Sequence, residues 1–218
     1  MACKIDFHTH SEASPDGALT ERDYRRIFDR GLLDGAAVTD HNRIDNALKL
    51  QGVFGDKIIV GEEITTQAGE VIGLFLTEAI PAGLPLAEAV RAIKGQGGLV
   101  YVPHPFETVR KGLLLADLNA IAADVDIIEV YNGRAVFQDK SRQALDWAHE
   151  HHVPGAASSD SHGWSGWGRT YTTLSAAASR NTLCKLLWDA QYSHVWPGVR
   201  GLMYPKLNRL KKAGRRHG

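Results

Sequence analysis

Histidine and acidic residues recur along this sequence in short motifs whose spacing suits the binding of metal ions. The first motif, DFHTH, contains His8 and His10, and the last, SSDSH, contains Asp160 and His162. Side chains at positions i and i+2 of an extended segment point to the same side, so each pair can face one cation. Imidazole and carboxylate groups without thiolates are the ligands expected for zinc, manganese or iron. One such motif alone is weak evidence, because turns and strand ends often contain these residues for structural reasons.

Three further motifs contain the same residue types: Asp40-His41 in AAVTDH, Glu62-Glu63 in IIVGEE and His104 in LVYVPH. Adjacent residues of an extended chain point in opposite directions. One member of Asp40-His41 and one of Glu62-Glu63 should therefore face inward, and periodicity does not say which. Taken singly, each motif has a plain structural explanation, such as a helix cap, a solvated turn or a loop histidine.

All of these motifs lie at the ends of short apolar runs that we predict to be strands. The runs span residues 4–7, 36–39, 57–61, 71–76, 99–102, 126–130 and 153–157. Several are continuous stretches of Val, Ile, Leu and Ala, as is typical of strands buried on both faces of a parallel sheet. The carboxyl ends of barrel strands form one face, where active sites lie. The motifs should therefore meet in space, and together they predict a metal site.

The segments between the strands have the spacing and caps of helices. Thr20 and Asp23 predict a helix start, Pro85 precedes a helix over 86–96, and residues 136–152 have a helical pattern that Pro154 ends. Only residues 65–70 separate two of the strands, which predicts a hairpin or a tight irregular turn there. We expect one α/β domain over residues 1–218, either a barrel or an open doubly wound sheet. A Rossmann fold is disfavoured because no G-x-G-x-x-G motif follows the first strand.

The composition is that of a globular protein and excludes some classes of partner. Of 218 residues, 25 are Lys or Arg and 25 are Asp or Glu, so stable nucleic-acid binding is not expected. No apolar run approaches the ~20 residues that span a bilayer, and we expect no membrane partner. With two cysteines, no CxxC pair and no signal-peptide core, a cytoplasmic protein is predicted. From about residue 205 the sequence is basic, which predicts either a frayed, solvated tail or an electrostatic aid to binding a nucleotide or polynucleotide substrate. The basic residues are Lys206, Arg209, Lys211, Lys212, Arg215 and Arg216.

The ordered motifs resemble those of the polymerase and histidinol phosphatase (PHP) family of metal-dependent phosphoesterases. The similarity runs from DFHTHSEASPDG through AAVTDHN, VGEEITT, VYVPHP and IIEVYNGR to SSDSHGW, about three quarters of the chain. It implies a distorted (β/α)7 barrel of the TIM-like type. It also implies a cofactor of two or three divalent ions, either Mn, Fe or Zn.

The resemblance assigns a set of ligands. His8 and His10 would hold one ion with Glu63 and Asp160, and Glu63 would bridge to a second ion that His104 also binds. A third ion would be held by Asp16, His41 and His162. Where many family members have a histidine three residues before the glycine of the fourth strand, this chain has Glu70, which we expect to serve because carboxylates bind manganese and iron.

This centre suits the hydrolysis of phosphate esters of a small metabolite or nucleotide. Clustered cations lower the pKa of a water from about 15.7 to about 7, which provides hydroxide at neutral pH, and clamp the attacking and leaving oxygens. Glu63, His104, Asp160 and His162 are the predicted catalytic residues, with His104 or His162 as a proton donor to the leaving group. The predicted substrate-binding residues are Arg134, Arg169 and Trp164, which follow the site strands.

Two other functions fit parts of the pattern. An amidohydrolase-type metal hydrolase also uses an HxH motif on a barrel, but Asp16, His41 and His162 supply ligands beyond those that it needs. A metal-holding accessory module without catalytic activity, which assists nucleic-acid binding, is disfavoured by the nearly complete ligand set and the balanced charge.

Overall fold

Nine strands form one sheet that curls into a nearly closed barrel in the computed structural model, which describes residues 2–214. The predicted distorted α/β barrel is confirmed. The sheet order is β7-β6-β5-β4-β3-β2-β1-β8-β9. The strands are β1 (Cys3–Thr9), β2 (Gly35–Val38), β3 (Ile58–Thr65), β4 (Glu70–Leu74), β5 (Leu99–Val102), β6 (Ile127–Asn132), β7 (Gly155–Ser158), β8 (Tyr171–Leu174) and β9 (Gln191–Ser193).

One reversed strand brings an additional acidic residue to the site edge. Strands β1, β2 and β3 pair in parallel, as do β5, β6 and β7, whereas β4 is antiparallel to both β3 and β5. The predicted hairpin over residues 65–70 is confirmed, with Thr65 opposite Glu70. Because β4 runs backwards, its first residue, Glu70, lies at the edge where the parallel strands end.

The barrel closes between β1 and the segment that follows β7. Thr9 bridges Ser161, and the backbone N–H of His10 donates to the carbonyl of Ser161 at 2.9 Å. The carboxylate of Asp6 accepts hydrogen bonds from the backbone N–H of Ser159 at 2.9 Å and from its hydroxyl at 2.5 Å. These contacts hold the last motif beside the first.

The helices agree with the sequence in part. Thr20 and Asp23 form the expected capping box. The helix predicted from residue 136 starts only at Ser141, because Asn132 Oδ1 accepts the N–H of Arg134 and turns the chain into a loop first. The helices are α1 (Glu21–Asp29), α2 (Asp45–Phe54), α3 (Leu86–Gly95), α4 (Leu115–Ala120), α5 (Ser141–Glu150), α6 (Leu183–Leu187) and α7 (Gly198–Gly214), with 3₁₀ turns at Gly55–Lys57 and Ala122–Asp124.

Two apolar clusters pack on the two faces of the sheet. The larger lies between the strands and the helices, and the smaller fills the barrel with side chains such as Phe7 and Tyr101. Leu183 and Leu187 of α6 join the smaller cluster and cover the amino-terminal end of the barrel. The opposite end is left to the polar motifs.

Helix α7 overturns the expectation of a frayed tail for residues 205–214. These residues are helical, and Asn208 is buried against the barrel. Arg215 and Arg216 lie outside the described residues. Among residues 2–214, no helix combines the length and apolar character needed to cross a bilayer.

Candidate metal centre

Most of the predicted histidines and acids line one cavity at the carboxyl ends of the parallel strands. Its volume is about 290 Å³. Four basic side chains and two apolar ones share its wall with the acids and histidines. The lining residues are Asp16, His41, Glu63, Glu70, His104, Val109, Arg110, Lys111, Arg134, Asp160, His162, Pro205 and Arg209.

An irregularity in β1 points His8 into the barrel. The register between β1 and β2 shifts between Asp6 and Thr9. Phe7 belongs to the interior cluster, whereas the hydroxyl of Thr9 contacts Tyr24 on α1, outside the sheet. The shift therefore lets the adjacent residues Phe7 and His8 both face inward, as is typical of a β-bulge.

Glu63 lies at the centre of the cluster, and four histidines surround its carboxylate. Its Oε1 is 3.0 Å from His104 Nε2 and 3.5 Å from His8 Nε2. Its Oε2 is 3.0 Å from His41 Nδ1 and 3.3 Å from His10 Nε2. A carboxylate with ligand groups on both oxygens can bridge two ions.

The ligand atoms fall into four overlapping groups, each within a span that one ion could bridge. Neighbouring groups share residues, as expected of a multinuclear centre. Glu70 groups with His41 and Glu63, and its Oε2 is 3.9 Å from His104 Nε2. The groups are His8, His10 and Glu63; His8, His104 and Asp160; His41, Glu63 and Glu70; and His10, Asp16, His41 and His162.

Glu129 of strand β6 contacts the cluster from the side of the barrel interior. Its Oε1 is 3.3 Å from His8 Nδ1 and accepts the hydroxyl of Tyr101 at 3.0 Å. Its Oε2 accepts the backbone N–H of His104 at 2.6 Å and the amide of Asn132 at 2.7 Å. A proton on His8 Nδ1 leaves Nε2 with a lone pair directed at the cluster.

Asp160 combines histidine and arginine contacts. Its Oδ1 lies 3.4 Å from His10 Nε2, while its Oδ2 accepts from Arg110 at 2.8 Å and from Arg134 at 3.2 Å. Arg110 also donates to both carboxylate oxygens of Glu107, which holds the guanidinium in place. Two fixed guanidinium groups therefore border the cavity beside the cluster.

The pKa values of the cluster show that its buried carboxylates favour positive charge or a proton beside them. Burial opposes protonation of His8, but Asp160 and Glu63 raise the pKa of His8 well above its usual value. Burial and the charge of Glu63 raise the pKa of Glu70 to about 8. Burial and Arg134 lower the pKa of His162, which keeps its imidazole neutral and suited to a ligand rather than to a proton donor.

These residues fit divalent cations. His10 Nδ1 and His104 Nδ1 are buried without a hydrogen-bond partner among the described residues. Glu63 Oε2 also accepts no hydrogen bond there, although His41 Nδ1 lies 3.0 Å away. Two ligands that are each about 2.0–2.2 Å from one ion lie about 3–3.6 Å apart, which matches the 3.1 Å between His8 Nε2 and His10 Nε2. Imidazoles and carboxylates without thiolates suit manganese, iron or zinc.

Two predicted substrate-binding residues lie away from the cavity. Arg169 is exposed, and its guanidinium donates to the carbonyl of Trp196 at 3.3 Å. The ring of Trp164 stacks against Arg26 of α1, 4.1 Å from the guanidinium carbon, and packs against Trp167. The structure therefore brings neither side chain to the site, since the segment after β7 turns outward to pack on α1.

In each of the two adjacent pairs, Asp40-His41 and Glu62-Glu63, the second residue faces the cavity. His41 and Glu63 line the cavity, and their neighbours point away: Asp40 accepts the backbone and hydroxyl hydrogens of Ser11, and Glu62 accepts the N–H of Ile80. The predicted metal ligands all lie in the cluster, and Arg134 lines its wall. They are His8, His10, Asp16, His41, Glu63, Glu70, His104, Asp160 and His162.

Sequence reasoning missed Arg110, Lys111 and Arg209 at the cavity. The first two lie in the loop after His104, where PHPFETVRKG has no periodicity. Arg209 comes from α7, and its guanidinium contacts Asp16 Oδ2 at 2.5 Å. A basic residue six or seven positions after a strand-end histidine is a signal that could have suggested the first two.

Comparison with known proteins identifies relatives of more than half of the chain. The chain is 37% identical over 144 residues to the uncharacterized protein MJ1587 of Methanocaldococcus jannaschii, an alignment that covers 59% of this chain and 81% of that protein. The chain belongs to the family of MJ1587. A second relative from the same organism, the uncharacterized protein MJ0417, is 35% identical over 169 residues, which cover 73% of this chain and 65% of that protein. The chain thus spans just under two thirds of MJ0417, and no protein-family profile matches it.

Solved structures share the fold of this MJ1587 relative. A two-domain protein of Bacteroides vulgatus that contains a predicted PHP-like metal-dependent phosphoesterase matches with a TM-score of 0.67 and 20% identity, over 96% of this chain and 63% of that one. A protein of Bifidobacterium adolescentis proposed to be a metal-dependent phosphoesterase matches with a TM-score of 0.60 and 19% identity, over 84% and 95% of the two chains. An amidohydrolase of Chromobacterium violaceum with bound sulfate and no metal matches with a TM-score of 0.57 and 17% identity, over 72% and 87%. The fold is thus that of PHP-type barrels.

Proposed function

We propose that this protein is a metal-dependent phosphoesterase that hydrolyses phosphate esters of a small metabolite or nucleotide. The observation that carries the proposal is the pairing of a multinuclear ligand cluster with arginines on the wall of the same cavity. Arg110 and Arg134 lie against Asp160, and Arg209 lies against Asp16. Positive groups fixed around cation ligands suit a substrate that is itself an anion.

Residues of three groups would hold the ions. His8, His10, Glu63 and Asp160 would bind the first, His104 with Glu63 the second, and Asp16, His41 and His162 the third. Glu70 would add a carboxylate ligand to the second ion, since it lies in one group with Glu63 and His41. When bound, divalent ions supply Lewis acidity that lowers the pKa of a water and neutralises charge on phosphoryl oxygens.

The residues of the chain perform the remaining tasks. Arg110 and Arg134 present N–H groups to the cavity and would bind phosphoryl oxygens, whose negative charge is spread in the transition state. Glu107 and Asp160 fix these guanidinium groups in advance, so little reorganisation accompanies the reaction. Neither predicted proton donor is proposed again: the lowered pKa of His162 keeps that imidazole unprotonated, and His104 would bind the second ion.

The cavity is suited to a small substrate. A volume of about 290 Å³ is at the low end of ligand pockets, so it accepts a phosphoryl group and part of the alcohol, with the remainder outside. The predicted stacking role of Trp164 is not proposed again, because its ring packs on Arg26.

An amidohydrolase-type reaction on C–N bonds is the second candidate, and the similarity in fold to the Chromobacterium violaceum amidohydrolase favours it. The two arginines at Asp160 argue against cleavage of C–N bonds, since a neutral amide does not need positive groups to bind it.

The decisive experiment compares substrates on one preparation. Purified protein with added Mn²⁺ is assayed against a phosphomonoester, a phosphodiester, a nucleotide and a panel of amides and lactams. We expect hydrolysis of at least one phosphate ester, its loss with a chelator, and no amide cleavage. Cleavage of the amides alone would overturn the proposal in favour of the second candidate.

A further inference from the structure

Helix α7 lies across the rim of the barrel next to the segment that contains Asp16. Its buried residues, Gly201, Pro205 and Asn208, recur every three or four positions and so form one face. Tyr204 packs so closely on Gly163 that a Cβ there would lie 2.7 Å from its ring. The helix is therefore seated on the turn that follows Asp160 and His162.

Asn208 joins two segments that contain predicted ligands. It is 6% exposed, and its amide nitrogen donates to the carbonyl of Asp16 at 2.7 Å and to the carbonyl of His162 at 3.0 Å. A side-chain amide has two protons, and both are used here. The distance between the Asp16 turn and the His162 turn is thereby set by one side chain of α7.

Lys212, one turn further along the helix, holds the same loop from the other side. Its ammonium donates to the carbonyls of Glu12, Ser14 and Gly17, at 2.7 Å for the first and 2.9 Å for the last. All three protons of the ammonium are therefore used on the turn that contains Asp16. This turn belongs to no strand or helix, unlike the segments from which Glu63 and His8 project.

We propose that α7 is a positioning element of the third cation group, formed by His10, Asp16, His41 and His162. Asn208 and Lys212 are its positioning residues. They touch no ligand atom of the group and act by fixing the backbone of Asp16 and His162. The proposal rests on the metal centre of the proposed function, but it concerns ion binding and not hydrolysis.

Positioning and simple electrostatics have opposite consequences at Lys212. Removing a positive charge near a cation site favours the cation, whereas removing the support of the Asp16 turn weakens its binding. Outer contacts that orient metal ligands are typically worth about 10- to 100-fold in affinity. We expect Lys212→Met and Asn208→Leu to weaken the third ion by about that factor. Lys211→Met removes the same charge at the adjacent, exposed position and should leave the affinity for the third ion unchanged.

The test is a titration of each full-length protein with Mn²⁺, in which free Mn²⁺ is followed by electron paramagnetic resonance. Unfolding midpoints of the chelator-treated proteins check that each variant is folded. If Asn208→Leu reduces the yield, Lys212→Met and its control suffice. We expect the wild-type protein and Lys211→Met to bind a third ion with the same affinity. Lys212→Met and Asn208→Leu should bind this ion about 10- to 100-fold more weakly.

Equal or tighter binding of the third ion by Lys212→Met would overturn the proposal, and so would a wild-type protein that binds only two ions. Because the titration needs no substrate, failure of the phosphoesterase assay leaves its result unaffected.

Discussion

Asp160 and Asp16 are arranged alike, although they lie in unrelated parts of the chain. Each turns its Oδ1 to histidine nitrogens and its Oδ2 to an arginine. Asp160 Oδ1 is 3.4 Å from His10 Nε2, and its Oδ2 is 2.8 Å from Arg110. Asp16 Oδ1 is 3.5 Å from His162 Nε2, and its Oδ2 is 2.5 Å from Arg209. Each carboxylate thus turns one oxygen to the histidines of the cluster and holds an arginine at the cavity with the other.

The paired glutamates of β3 allow a matched test of the central ligand. Glu63→Gln should abolish turnover and lower the metal content, because the carboxylate that faces four histidines loses its charge. Glu62→Gln should do neither, since Glu62 faces away, accepts the N–H of Ile80, and burial raises its pKa to about 7. Elemental analysis and steady-state assays measure both effects. The reverse pattern would show that the wrong glutamate was assigned to the centre.

The arginines at Asp160 should contribute to the transition state rather than to metal binding. Arg134→Met is expected to lower kcat/KM by about 10²–10³-fold with unchanged metal content, as is usual for a lost electrostatic stabiliser. Arg169→Met is the matched control, because that guanidinium lies at the carbonyl of Trp196. If Arg169→Met reduced kcat/KM as much as Arg134→Met, the assignment of the phosphate-binding arginines would be wrong.

Trp164 should contribute to stability and not to substrate affinity. Its ring packs on Arg26 and Trp167, and it is only partly buried. Trp164→Ala is therefore expected to lower the free energy of unfolding by about 1–3 kcal/mol, less than the about 3–5 kcal/mol of a fully buried tryptophan. Urea denaturation and the KM of a nucleotide substrate are the two measurements. A raised KM with unchanged stability would restore the stacking role predicted from the sequence.

The contact between Asp6 and Ser159 should help to keep the barrel closed. Ser159→Ala removes a hydroxyl that donates to Asp6 and leaves a buried carboxylate oxygen with fewer partners. The expected loss in the free energy of unfolding is about 1–3 kcal/mol. Ser175→Ala, at an exposed position after β8, should change it by less than about 0.5 kcal/mol. Equal effects of the two substitutions in urea denaturation would contradict a role for this contact.

The strands that bear the motifs could be predicted, because most of them are apolar runs that are buried on both faces. Strands β8 and β9 could not be predicted, because Tyr171–Leu174 contains two adjacent threonines and is buried only at every second residue, and Gln191–Ser193 is largely exposed. Helix α7 was missed for a related reason. It buries only three residues and contains Pro205, so its stability comes from tertiary contacts such as those of Asn208.

The side chains that gather in the cluster could be predicted from spacing and resemblance, whereas the surroundings of the cluster could not. The i, i+2 rule places His8 and His10 on one side, and the shift in register of β1 allows this beside the inward-facing Phe7. Arg110 and Arg209 reach the cavity from a loop and from a distant helix, and no local pattern encodes such a long-range contact.

The most direct test of the metal centre is anomalous X-ray scattering from a crystal of the protein grown with Mn²⁺. We predict two or three manganese peaks, all within the cluster, with Glu63 between two of them and Asp160 Oδ1, rather than Oδ2, facing an ion. A fully exchanged crystal with no peak among His8, His41, Glu63, His104 and Asp160 would contradict the account.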